Sequence, residues 1–291
     1  MGGRSKGNPL AGKAIIMKKA LHTKTIYGCN LATALSIAET TGFTAVEIVA
    51  ERLNSYLHQG NTPEDLRKLL IKHGLGAVCI NDICHVDRED KAAREKMAEE
   101  AWLLSSVAKE IGCKAIQLVP LCSLEGKEWK DIKRITADNI RMVADIGSKF
   151  GVGFQLEPVA WSPINSLSKS LDLINAVDRD NLRMVVDFWH LWSGGGTTPE
   201  EVSKLSKEQI YNIHFCDGKK QASGTVWDET ILRGHYPGDG DIPLKDWVDA
   251  VKATGYDDYW SCELISARHW EMNAIEVAKT MSAAMETYIG K

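Results

Sequence analysis

The sequence predicts an α/β protein built as a single closed (β/α)8 barrel, the TIM-barrel architecture. Short β-rich runs and amphipathic helical stretches alternate eight times from about residue 18 onward. No glycine-rich phosphate loop follows an early strand, as an open doubly wound sheet would want. No repeat or low-complexity linker divides the chain, so 18–291 reads as one barrel domain and 1–17 as a flexible N-terminal extension.

The first strand is expected at KKALH (18–22), followed by the helical pattern LATALSIAETTG. AVEIV (45–49) is the second strand, and TPEDLRKLLIKHG the next helix, opened by Thr62-Pro63-Glu64 and closed by Gly74. GAVCIND (76–82) leads into REDKAAREKMAEEAWLLSSVAKEIG, and KAIQLVP (114–120) into EWKDIKRITADNIRMVADIGSKFG. GVGFQLE (151–157), LRMVVD (182–187), IYNIHFC (210–216) and YWSCEL (259–264) are the remaining strands. Their helices are NSLSKSLDLINAV, TPEEVSKLS, PLKDWVDAVKATG and HWEMNAIEVAKTMSAAMETY. Gly42, Gly112, Gly151 and Gly255 fall where helices must stop before a strand begins.

Composition narrows the function classes. With 44% hydrophobic and 25% charged residues the chain fits a soluble globular protein with a full core. A net charge of −4 argues against a dedicated nucleic-acid surface. No apolar run approaches the roughly 18 residues a membrane span needs. Seven cysteines without a C-x-x-C pair fit a reduced, cytoplasmic setting better than a disulfide framework. The expected partner is a small molecule, with no nucleic acid or membrane, and with room for a homo-oligomer.

Strand parity then separates two faces. Val152, Phe154 and Leu156 lie opposite Gln155 and Glu157; Tyr211, Ile213 and Phe215 lie opposite Asn212 and His214; Trp260, Cys262 and Leu264 lie opposite Ser261 and Glu263. Glu47, Asn81, Gln117 and Asp187 also sit late in their strands. An unpartnered buried polar group costs kilocalories, and barrel active sites lie at the C-terminal ends of the strands. A convergent ring of polar residues there is therefore a site. Glu47, Asn81 and Gln117, taken singly, read as structural hydrogen-bonders.

Glu157, Asp187, His214 and Glu263 carry more, because four ligand-type residues 27 to 49 positions apart end four consecutive strands. Three carboxylates in one pocket repel and raise one another's pKa, and a divalent cation removes the conflict. Oxygen-rich ligation favours Mn2+, Mg2+ or Co2+, with Zn2+ admitted by the histidine and Mn2+ preferred.

The pieces GVGFQLEPVAW, VVDFWHLWSGG, IHFCDG and RGHYPGDGDIPLKDWVDAVKATGYDDYWSCELIS, with GFTAVEI earlier, resemble the sugar phosphate isomerase/epimerase superfamily of xylose isomerase-like TIM barrels. The resemblance spans roughly 18–288. It implies one divalent metal held by Glu157, Asp187, His214 and Glu263, with Glu157 and Glu263 also acting as the catalytic carboxylates. His190, three residues after Asp187, matches a substrate-contacting histidine, and Arg233 resembles a basic residue near a substrate oxygen. Trp161, which could stack on a sugar face or simply pack at the rim, and Gln117 complete the substrate-binding candidates. The implied reaction is proton transfer next to a carbonyl of a keto-sugar or related polyhydroxylated compound, through an enediolate, giving isomerisation or epimerisation. Dehydration or cleavage of an oxidised glycoside uses the same four residues and stays open. Endonuclease IV-like repair is disfavoured, because Gln117 stands where an extra histidine ligand is wanted and no D-x-H follows the seventh strand.

Overall fold

A computed structural model describes residues 18–222 and 224–290; the extension expected over 1–17 lies outside the described residues. Among the described residues, eight parallel strands close into a barrel in sequential order. They are β1 (Lys18–His22), β2 (Ala45–Val49), β3 (Gly76–Cys84), β4 (Ala115–Val119), β5 (Gly153–Leu156), β6 (Leu182–Asp187), β7 (Ile210–Phe215) and β8 (Tyr259–Cys262). Pairing of Ala20 with Ser261 and Leu21 with Cys262 joins β1 to β8 and removes both sheet edges.

The helices are α1 (Leu31–Thr40), α2 (Ala50–His58), α3 (Pro63–Lys72), α4 (Lys91–Ile111), α5 (Trp129–Ser148), α6 (Leu167–Val177), α7 (Phe188–Ser193), α8 (Pro199–Val202), α9 (Glu229–Leu232), α10 (Leu244–Ala253), α11 (Ala267–Trp270) and α12 (Ala274–Tyr288). Thr62 caps α3 with a reciprocal Asp65 contact and Pro63 in the first turn, as its sequence implied. Helix α2 was not anticipated: AERLNSYLH follows β2 directly, and no side-chain cap marks its start. TPEEVSKLS makes only the four-residue α8.

The outward strand faces carry the core. Val46, Ile48, Phe154, Leu156, Ile213, Phe215 and Trp260 are fully buried against the helix layer. Phe188 anchors one side of it, with ring centroids 5.5 Å from Trp247, 6.0 Å from Phe215 and 6.1 Å from Trp260. No helix among the described residues is long and apolar enough to cross a membrane.

Five strands differ from their expected bounds by one or two residues at an end. β3 runs on to Cys84, β4 covers only Ala115–Val119, β7 stops at Phe215, and β5 and β8 bear on the site. β5 starts at Gly153 rather than 151, because Gly151 adopts φ +72° to turn the chain out of α5. β8 stops at Cys262, so Glu263, like Glu157 after β5, is the first residue past its strand. Both carboxylates therefore stand at the rim rather than inside the staves.

Candidate metal centre and active site

Glu157, Asp187, His214 and Glu263 come together at the C-terminal rim, each offering one ligand atom, with these atoms all within 4.8 Å of one another. His214 is the hub. Its Nδ1 lies 3.0 Å from Glu157 Oε1, 3.2 Å from Glu263 Oε2 and 3.3 Å from Asp187 Oδ2. All four side chains are buried. Burial alone would depress the His214 pKa, but Glu47 and Glu263 outweigh it and hold the imidazole well above its usual value. In the metal-free site the imidazolium is thus a counter-charge to the carboxylates. The donor set of three oxygens and one nitrogen fits one hard or borderline divalent ion.

Each side chain is aimed by its neighbours. Asp187 caps α7: its Oδ1 accepts the His190 N–H at 2.7 Å. A helix N-cap side chain accepts the N–H two or three residues on, so the cap fixes the start of α7 and with it the position of His190. Gln117 Nε2 donates to Glu157 Oε2 at 2.8 Å, and Gln155 Nε2 donates to Gln117 Oε1 at 2.7 Å. The Gln117 amide nitrogen is thus directed at Glu157.

Arg233 follows α9 in the loop between β7 and β8, and is buried. Its Nη2 donates to Asp187 Oδ2 at 2.7 Å and also to Glu263 Oε2. Its Nη1 donates to Glu229 Oε1 at 2.8 Å. Asp217 sets the loop that delivers it. The Asp217 carboxylate accepts N–H groups from Gly218, Gly238, Gly240 and Ile242 at 2.7 to 3.2 Å. A Cβ at Gly240 would run into that carboxylate, so the YPGDGD turn needs glycine there.

His190 stands beside the ligand group, not in it. Its Nδ1 faces the Ala160 N–H at 3.1 Å and its Nε2 faces Arg233 Nη1 at 3.1 Å, so donors address both ring nitrogens. Burial lowers its pKa to about 3, so the ring is neutral. Arg233 Nη1 thus sits between the imidazole and Glu229 Oε1, which lies 3.5 Å from Nε2. Trp161 is half-buried, its ring centroid 5.4 Å from that of His190, 5.8 Å from that of Trp227 and 6.2 Å from that of Trp189. These rings wall one side of the rim.

Burial, together with Glu263 and Asp187 nearby, pushes the Glu157 pKa up to about 8 despite His214. For Glu263 burial acts the same way, but Arg233, His214 and His22 overcome it and hold the carboxyl well below the usual range. Two glutamates that face one imidazole nitrogen therefore differ in protonation at neutral pH.

Three participants were not singled out from sequence. His22 ends β1 and faces the site, with Nε2 3.3 Å from Glu263 Oε1; its strand-end position carried the signal. Glu47, read as a lone hydrogen-bonder, is fully buried and lies 3.2 Å from His214 Nε2. Glu229 opens the four-residue α9, which is too short to show a periodic pattern in sequence.

The sequence profile of the xylose isomerase-like TIM barrels matches residues 35–285. The inosose isomerase of Bacillus velezensis is 26% identical over 270 residues, 92% of this chain and 95% of that protein. The 3-dehydroshikimate dehydratase of Pseudomonas aeruginosa is 25% identical over 251 residues, 86% of this chain and 38% of that longer protein. A solved structure of the IOLI protein with a zinc atom superposes with a TM-score of 0.86 at 24% identity, covering 94% of this chain and 98% of that one. The profile match spans most of the barrel, and on it the chain belongs to the xylose isomerase-like TIM barrel family.

Proposed function

We propose that the protein is a divalent-metal-dependent isomerase or epimerase of a keto-sugar or cyclic polyol ketone, working by glutamate-mediated proton transfer. The observation that carries this is the pair Glu157 and Glu263, just past non-adjacent strands, converging on His214 Nδ1 within a buried group of four ligand-type residues. Two carboxylates that face one centre can remove a proton from carbon and return one to it. The likeness to inosose isomerase supports a polyhydroxylated carbonyl substrate, and the zinc in the structurally similar IOLI protein supports the metal.

Glu157, Asp187, His214 and Glu263 would hold the ion, which supplies Lewis-acid polarisation of the substrate carbonyl when bound. Glu263, the more acidic of the pair, removes the proton on carbon. Glu157, which gives up its own proton to metal binding, faces the same centre from the end of β5 and returns a proton taken up from solvent or from a substrate hydroxyl. Return to the same carbon inverts it, and return to the neighbouring carbon moves the carbonyl. The Arg233 guanidinium donates to a substrate oxygen, taking the place that Glu229 fills in the ligand-free site, and the neutral His190 imidazole beside it contacts a neighbouring substrate hydroxyl. Trp161 covers a C–H face of the substrate and keeps water from the enediolate.

The likeness to a 3-dehydroshikimate dehydratase supports one second reading, elimination of a hydroxyl after the same proton removal. Incubating the Mn2+- or Zn2+-loaded protein in D2O with ketoses, inososes and dehydroshikimate separates the two. Solvent deuterium on carbon in a recovered or rearranged sugar supports the isomerase reading, and conversion of dehydroshikimate without it supports elimination. No exchange with any of the panel contradicts both.

A further inference from the structure

Beneath the four ligand-type residues lies a second buried layer that the proposed reaction does not use. Glu47 is fully buried at the inner face of β2. Its Oε1 accepts from Asn81 Nδ2 at 3.1 Å, and its Oε2 from Asn212 Nδ2 at 2.7 Å. Both oxygens also face His214 Nε2, at 3.2 and 3.3 Å. Asn212 donates further to Ser261 Oγ at 2.8 Å, tying β2, β7 and β8 together under the rim. Three N–H groups thus converge on one carboxylate.

This layer is not a second metal site, although His22, Glu47 and His214 are close enough to resemble one. His22 Nδ1 accepts the Lys24 N–H at 3.1 Å. A neutral imidazole that accepts at one nitrogen carries its proton on the other. His22 Nε2 therefore carries the N–H, 3.3 Å from Glu263 Oε1 and 3.7 Å from Glu47 Oε1 without a hydrogen bond to either, and has no lone pair for an ion.

The same logic gives metal-free His214 an N–H on both nitrogens, and only the one among the four ligand-type residues lies where an ion can replace it. Its Nε2 faces Glu47, where only an N–H is welcome, because carboxylate oxygens accept and do not donate. Its Nδ1 faces Glu157, Asp187 and Glu263. We propose that Glu47 is a positioning residue: it holds the His214 proton on Nε2 and so leaves the Nδ1 lone pair for a divalent ion. The inference rests on the metal-dependent reading above. A carboxylate that accepts the second N–H of a ligating histidine fixes its tautomer and orientation, and its loss typically weakens metal binding by about 10–100-fold. A neutral glutamine at this position keeps the volume but has one acceptor oxygen for three donors, and it adds an N–H of its own.

The test is Zn2+ binding by the whole protein, read in two ways. In the 15N-histidine-labelled wild type loaded with Zn2+, the His214 signals, assigned by their absence in His214→Gln, should show a protonated Nε2 and a metal-bound Nδ1. Titration calorimetry should show Glu47→Gln binding one Zn2+ per chain about 10–100-fold more weakly than wild type. Zn2+ on Nε2, or a proton on Nδ1 in the loaded protein, overturns the inference. So does a folded Glu47→Gln with wild-type affinity, since a merely structural carboxylate would lower the melting temperature and leave affinity unchanged. Should Glu47→Gln fail to fold, the wild-type spectrum decides alone. A wild type that takes up no Zn2+ removes the metal-dependent reading together with this inference, whereas Zn2+ bound through the wrong nitrogen removes only the inference.

Discussion

The two ends of the barrel carry charge in opposite ways. At the N-terminal end, Lys18 and Lys114 pair with Asp258 at 3.1 and 3.2 Å, and Lys207 with Asp257 at 3.5 Å. These side chains are 31–69% exposed and rim an open depression of about 1000 Å3. At the C-terminal end, Glu157, Asp187, His214, Arg233 and Glu263 are each 6% exposed or less. Exposed pairs are screened and contribute about 0–1 kcal/mol, whereas breaking a buried pair leaves a charge that neither water nor a partner satisfies. This open depression is thus not where the buried, ligand-type residues are concentrated. Buried and mutually dependent charge marks the functional end, and the comparison predicts a gradient of effects.

The largest effect belongs to turnover. Glu263→Gln, which keeps the volume and removes the base, should lower turnover by about 10²–10⁴-fold on whichever substrate the wild type exchanges with D2O. Wild-type rates would move the acid/base work away from this residue.

Metal affinity should depend on pH in a stated direction. In the metal-free protein Glu157 titrates near 8 and His214 well above its usual range, so both hold protons at neutral pH. An ion must displace those protons. Affinity should therefore rise as pH rises toward 8 and fall below it, by up to about tenfold per pH unit for each proton released. Calorimetry in two buffers of different ionisation enthalpy counts the protons, and pH-independent affinity between 6 and 8 would contradict the assignment.

How much of this was legible in the chain depended on periodicity. β1, β2 and β6 lie where the alternation of KKALH, AVEIV and LRMVVD puts them, because period-2 burial is written into sequence. The convergence of Glu157, Asp187, His214 and Glu263 followed from the same parity combined with barrel closure. His22 carried that signal too, but a single histidine after Leu21 looks like any strand-ending residue. The partnership of Glu47 with Asn212 and His214 joins positions 165 and 167 residues apart, and no local pattern encodes such pairs. Arg233 and Glu229 belong to a loop whose path is set by the Asp217 hydrogen bonds, so their side-chain placement becomes visible only in three dimensions.

Stability sharpens the contrast between the two ends. Arg233→Met removes the cation between Asp187 and Glu263 and should cost the metal-free protein about 3–5 kcal/mol in urea unfolding, with part of the loss restored by a saturating divalent ion. Asp258→Asn at the opposite end removes two exposed pairs and should cost under about 1 kcal/mol. Equal losses from the two substitutions would erase the distinction drawn between the ends.

Metal stoichiometry in four proteins tests the central claim most directly. Wild type, His214→Ala, His190→Ala and Asp258→Asn would each be equilibrated with Mn2+ or Zn2+ at pH 8, freed of loose ion and analysed by elemental mass spectrometry. The account predicts one ion per chain in the wild type, His190→Ala and Asp258→Asn, and a strong loss in His214→Ala. No ion in the wild type, or full occupancy after His214→Ala, would contradict it.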